Sequence, residues 1–179
     1  GLTEASPVVT AAYGLPWRSS IADDALAAGR PAIIRGNASE IMGLAGAGGG
    51  GRGVDSTDPT EAALEGARDL ALRHGCVVAV SGPVDHITDG RRTVTVANGH
   101  EWMTRVTGVG CSLGALMAAF AAVVDPLDAA VAATALLCVA ADRAAATTAG
   151  PGSFAVALID QLHLLTPADV AAAADLADV

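Results

Sequence analysis

What most restricts the fold of this chain is an alternation of short β-branched apolar runs with long Ala-rich stretches of helical spacing. That is the pattern of a parallel or mixed sheet covered by helices. Residues 7–10, 32–35 and 76–81 read as buried strands. Asp58, Pro59 and Glu61 supply an N-cap, a proline at the first helical position and a capping-box acid for a helix over residues 59–74, which Gly75 closes. Residues 84–88 and 93–97 flank Asp89-Gly90 and predict an antiparallel hairpin on one sheet edge, with Arg91 and Arg92 as solvated turn residues. A long helix is predicted to start near Cys111 and to break at Asp125-Pro126. A second follows to about Ala146, Gly150 to Ser153 opens another, and Thr166-Pro167 opens the last. The glycine run from Gly46 to Gly53 reads either as a flexible linker or as a mobile flap over a site.

The 179 residues fit one domain, and Leu, Ile, Val and Phe number 43 of them. That lies above the roughly 20% below which disorder is the default. Ten basic residues, all Arg, stand against nineteen acids, for a net charge of −9. Such a chain is a poor nonspecific binder of nucleic acid, so any phosphate-bearing ligand must be held locally. The longest apolar stretches, 113–124 and 129–141, are separated by Asp125, Pro126 and Asp128. Neither alone reaches the ~18 residues of a bilayer span, so no membrane segment is expected. Cys76, Cys111 and Cys138 form neither a metal pattern nor a disulfide framework, which points to a reducing, cytoplasmic compartment. Cys76 and Cys138 lie in apolar runs and read as core. The four histidines lack metal-ligand spacing and no serine sits in a nucleophile elbow, so zinc chemistry and triad hydrolysis are disfavoured. The start at Gly1, without the basic and apolar blocks of a signal peptide, reads as a trimmed chain or a fragment.

The strongest chemical signal is Thr107-Gly108-Val109-Gly110-Cys111-Ser112-Leu113-Gly114, a glycine-rich turn running into a helix. Its first-turn amides, Val109, Gly110 and Cys111, can form an anion hole without any lysine. A tight strand-to-helix corner explains the same glycines. Cys111 sits where a helix start favours a thiolate, and there it could orient or deprotonate a hydroxyl; the alternative is a small apolar residue. A second signal is Arg35-Gly36-Asn37-Ala38-Ser39-Glu40 at a strand end. Arg35 can bridge phosphate oxygens, and Asn37 and Glu40 can hold magnesium or its waters. Asn37 as helix N-cap with Glu40 as its capping-box partner is the competing reading, compatible with the first.

These two segments, with Gly53-Val54-Asp55-Ser56, Val80-Ser81-Gly82, Met103-Thr104-Arg105-Val106 ahead of the glycine turn, and Gly150-Pro151-Gly152-Ser153-Phe154, closely resemble the hydroxyethylthiazole kinase family. The resemblance runs in order from about Leu15 to Leu165. It implies an α/β, ribokinase-like fold with a mostly parallel sheet flanked by helices. It also implies transfer of the γ-phosphoryl group of ATP to the hydroxyl of 4-methyl-5-(2-hydroxyethyl)thiazole, a magnesium requirement, a role in thiamine salvage, and a homotrimer with sites at subunit interfaces. Carried over position by position, Arg35 and Ser81 match ATP-contacting residues and Gly108 matches a glycine whose backbone contacts the thiazole. Glu40 matches the metal-associated acid, and Cys111 matches the cysteine that stands where related sugar kinases carry the catalytic aspartate.

Two departures shape the expectations. A gapless extension places Val8 where the family has an acid near the phosphates and metal. The family's N-terminal segment, with strands of the sheet, has no counterpart ahead of the match, so residues 1–179 read as a single, N-terminally truncated kinase domain. The alternative function is a noncatalytic remnant that binds adenine nucleotide or associates with other subunits. Another ribokinase-like small-molecule kinase fits less well, because Cys111 replaces the aspartate most of them use.

Overall fold

The computed structural model describes residues 8–10, 26, 28–46 and 59–179. Six strands, β1 (Val8–Thr10), β2 (Ile33–Asn37), β3 (Val77–Ser81), β4 (Asp85–Thr88), β5 (Thr93–Val96) and β6 (Leu176–Asp178), form one sheet in sequential order. The first three run parallel, and β3 to β6 are antiparallel neighbours. The helices are α1 (Ala38–Gly46), α2 (Pro59–His74), α3 (Val109–Ala121), α4 (Pro126–Ala146), α5 (Pro151–Leu164) and α6 (Pro167–Ala173), with a 3-10 helix over Glu101–Arg105.

Strand alternation divides the core between the two sheet faces. Ile33, Val77 and Ala79 face α3, α4 and α5 in one cluster, while Ile34, Val78 and Val80 face α1 and α2 in the other. The layering is therefore helix, sheet, helix, and the predicted strands and helices are recovered within one or two residues, except that α3 ends at Ala121, short of the expected break at Asp125-Pro126. The sheet itself is mixed rather than mostly parallel. The short β6 pairs with β5, so the hairpin lies inside the described sheet instead of on its edge. No apolar pattern marks β6, whose three residues are all exposed; it is held by backbone pairing with β5 and by side-chain bonds from that hairpin. Arg92, expected to be solvated, reaches Asp178 on that strand at 2.9 Å.

At 21 residues, α4 is long and apolar enough to cross a membrane by length and composition, which the sequence reading placed below span length. The helix runs unbroken from Pro126 because Asp128 is tolerated in its first turn. Ala129, Ala133, Leu137, Ala140 and Ala144 are buried, so its apolar surface is spent in the core. Cys76 and Cys138 are buried as expected, and burial pushes the Cys76 thiol up to about 11. Asp58, the glycines at 47–53 and the segment 53–56 lie outside the described residues.

Candidate active site

Arg35 is carried by β2 and Ser81 by the last position of β3, opposite Asn37 in the parallel register. From there the Arg35 guanidinium crosses to the start of α3. Its Nη1 donates to the Gly110 carbonyl at 2.9 Å and its Nη2 to Ser81 Oγ at 3.4 Å. Its Nε is buried without a partner among the described residues. Burial lowers the guanidinium's proton affinity, and Coulombic interactions, of which that with Glu40 is the largest, oppose the shift. A Cβ at Gly110 would stand 3.2 Å from Nη1, so glycine permits this close approach.

Gly108 is the N-cap of α3 at φ 94°, a left-handed conformation that favours glycine, and has no side chain to cap the helix. The Ser112 amide bonds back to the Gly108 carbonyl at 2.8 Å. Among the described residues the amides of Val109, Gly110 and Cys111 have no acceptor, as expected of the first turn of an uncapped helix. Val109 and Gly110 line a cavity of about 580 Å³ together with Arg35, Asn37 and Ser81. Two of the three residues of the expected anion hole, Val109 and Gly110, thus share one cleft with the guanidinium. Cys111, Gly108 and Glu40 do not line it; Cys111 is exposed on the adjoining helix start.

The Asn37 segment adopts the cap that the sequence allowed. Asn37 Oδ1 accepts from the Glu40 amide at 2.9 Å, and Glu40 Oε2 accepts from the Asn37 amide at 2.8 Å. The other Glu40 oxygen has no partner among the described residues, where no cluster of three or more metal-ligating side chains occurs. Val8 is level with Ile33, while Thr10 is level with Arg35, so Val8 stands two positions before the Arg35 row.

Sequence reasoning missed Asp85, which lines the same cavity, and His100, which caps the 3-10 helix and packs edge-on against Trp102 at 4.7 Å. The signal for Asp85 was a lone acid four residues after Ser81, at the head of a short strand. A larger hollow, about 1190 Å³, lies at the opposite strand ends beside Ala32 and Cys76 and contains none of the predicted site residues.

The helix–sheet–helix layering, with a strand-borne guanidinium beside an uncapped glycine turn, places the chain in the α/β class. The structure is similar to that of the hydroxyethylthiazole kinase protein from Pyrococcus horikoshii, with TM-score 0.84 and 35% identity, covering 97% of this chain and 65% of that one. At the level of fold alone it is similar to pyridoxal kinase from Staphylococcus aureus in complex with AMP-PCP, with TM-score 0.51 and 16% identity over 75% of this chain and 52% of that one. The fold is ribokinase-like.

Residues 5–168 match the model of the hydroxyethylthiazole kinase family, and the chain belongs to that family. It is 57% identical over 167 residues to the hydroxyethylthiazole kinase of Cutibacterium acnes, covering 93% of this chain and 60% of the relative. To that of Clavibacter sepedonicus it is 59% identical over 158 residues, covering 88% and 57%. The chain spans about 60% of the length of the curated relatives it matches.

Proposed function

We propose that the chain takes part in ATP-dependent phosphorylation of the hydroxyl of 4-methyl-5-(2-hydroxyethyl)thiazole, a thiamine-salvage reaction. The observation that carries this reading is the shared cleft: Val109 and Gly110 of α3, whose amides have no acceptor among the described residues, beside the Arg35 guanidinium. Phosphoryl transfer asks for positioning and charge stabilisation rather than covalent work by the protein. Arg35 and Ser81 bind the nucleotide, and the amides of Val109, Gly110 and Cys111 stabilise charge on the transferred group. The Gly108 backbone contacts the thiazole. Cys111 orients the attacking hydroxyl or accepts its proton as a weak base.

Glu40 fits magnesium through the oxygen its cap leaves free, since magnesium commonly takes one or two carboxylates with waters and phosphate oxygens. When bound, the metal supplies neutralisation of phosphate charge. We read the compartment as cytoplasmic, and the assembly as a homo-oligomer, a homotrimer by family resemblance. Val156 and Ile159, exposed three residues apart on α5, support such association. A nucleotide binder without turnover is the second reading, favoured by Val8 at the family's acidic position.

Two measurements test these readings in order. In a thermal-shift titration, magnesium–ATP at 100 times its dissociation constant should stabilise the chain by about 2.7 kcal/mol. A coupled ADP-release assay with the thiazole alcohol then separates kinase from binder. No stabilisation sinks both readings, and stabilisation without thiazole-dependent ADP release leaves only the binder.

A further inference from the structure

Asp85, the first residue of β4, has no part in the roles above, yet it lines the cavity that holds Arg35, Ser81 and Gly110. Its two oxygens serve different elements. Oδ1 accepts from the Gly82 amide at 3.0 Å, closing the turn that follows Ser81, and Oδ2 accepts the thiol hydrogen of Cys138 on α4 at 3.5 Å. Besides Asp85, the turn is held by a 3.1 Å hydrogen bond between His86 Nδ1 and the Val84 carbonyl; Gly82, Pro83 and Val84 are exposed, and the Gly82 amide has no acceptor other than Asp85 among the described residues. Ser81 meets Arg35 only through a long 3.4 Å contact, which a small drift of the turn would break. Burial favours the neutral form of Asp85, opposed by the Gly82 amide, Cys138 and Arg35. A carboxylate withdrawn from water needs its hydrogen bonds satisfied, and here the two partners are the turn and the core helix.

We propose that Asp85 is a positioning residue of the anion site, fastening the Ser81–Gly82 turn to α4 and so holding Ser81 Oγ in reach of the Arg35 guanidinium. This rests on the nucleotide reading of the site. Asp85 acts as a hydrogen-bond acceptor rather than through its charge, because a negative charge beside a triphosphate opposes binding. Asn at this position keeps an acceptor oxygen for the Gly82 amide, whereas Ala keeps none.

The test is calorimetric titration of the whole chain with magnesium–ATP, paired with hydrogen exchange across residues 81–84. Asp85→Ala is expected to weaken binding about tenfold and to lose protection of the Gly82 amide. Asp85→Asn stays within about twofold of wild type and keeps that protection. Equal affinity in wild type and Asp85→Ala overturns the positioning role. So does Asp85→Asn weakened as far as Asp85→Ala, which assigns the effect to charge. If Asp85→Ala does not fold, Cys138→Ala decides: about two- to threefold weaker binding with faster Gly82 exchange supports the role, and no change in either overturns it. A wild-type chain that binds no magnesium–ATP, whatever its exchange pattern, overturns the nucleotide reading and this proposal with it.

Discussion

Two helices, α1 and α3, begin beside the same cavity and treat their first turns in opposite ways. α1 is closed by its own residues, with Asn37 and Glu40 satisfying each other's amides at 2.9 and 2.8 Å. α3 begins at a glycine in the left-handed region, and its first three amides have no acceptor among the described residues. Both starts carry the partial positive charge of a helix N-terminus. Only α3 leaves it available to a ligand. A capping box marks a helix start whose amides are satisfied from within, while the glycine cap beside Arg35 leaves the first-turn amides without an acceptor among the described residues.

The sharpest way to break this contrast is at Cys111. Cys111→Ala should lower kcat about a hundredfold or more in the ADP-release assay, with an unchanged melting temperature. Cys111→Asp should retain or raise turnover, and an unaffected Ala variant removes Cys111 from the mechanism. Next in size, Arg35→Ala should weaken magnesium–ATP binding about 10- to 100-fold by calorimetry, the loss of charge-assisted hydrogen bonds. Unchanged affinity would mean that the α3 amides hold the anion alone.

Two substitutions then compare the helix starts directly. Gly108→Ala forces a Cβ into the left-handed region and should cost about 1–2 kcal/mol, a fall in Tm of roughly 2–4 °C per kcal/mol. Asn37→Ala should cost about 1 kcal/mol of stability while leaving nucleotide affinity within about twofold. A tenfold loss of affinity in Asn37→Ala would erase the distinction between a closed and an open start.

The smallest effect concerns α6, whose start is closed even more fully. The Asp169 carboxyl is held well below the usual carboxylate range, first by the Thr166 hydroxyl, then by Arg143. Because the folded value is depressed, this stability is present above the ordinary value near 3.9 and is lost as pH falls below it. Protection factors across residues 167–173, which correct for the intrinsic pH dependence of exchange, should therefore fall below about pH 4 in wild type. In Asp169→Asn protection should already be low at neutral pH and should change little on acidification.

Most of the local structure was legible. The caps at Thr166, Asp125 and Asn37 and the glycine starts at Gly108 and Gly150 fall where short-range hydrogen bonding and sterics put them. The site was legible in part. Arg35, Ser81, Val109 and Gly110 converge as expected, whereas Cys111, Gly108 and Glu40 stand beside the cavity rather than in its wall. Asp85 escaped notice because its meaning depends on Cys138, 53 residues away, and β6 escaped because an exposed edge strand leaves no apolar pattern to read.

By itself the sequence determined where the apolar strands lie, where the helices begin, and that those at Gly108 and Gly150 start on glycine without a side-chain cap, because those choices are settled within a few residues of backbone. Only the tertiary structure decided that Arg35 reaches the Gly110 carbonyl 75 residues on, that an acid shares their cleft, and that a C-terminal strand joins the hairpin. These depend on which faces pack together, and packing is a property of the whole sheet and its helices rather than of any one segment.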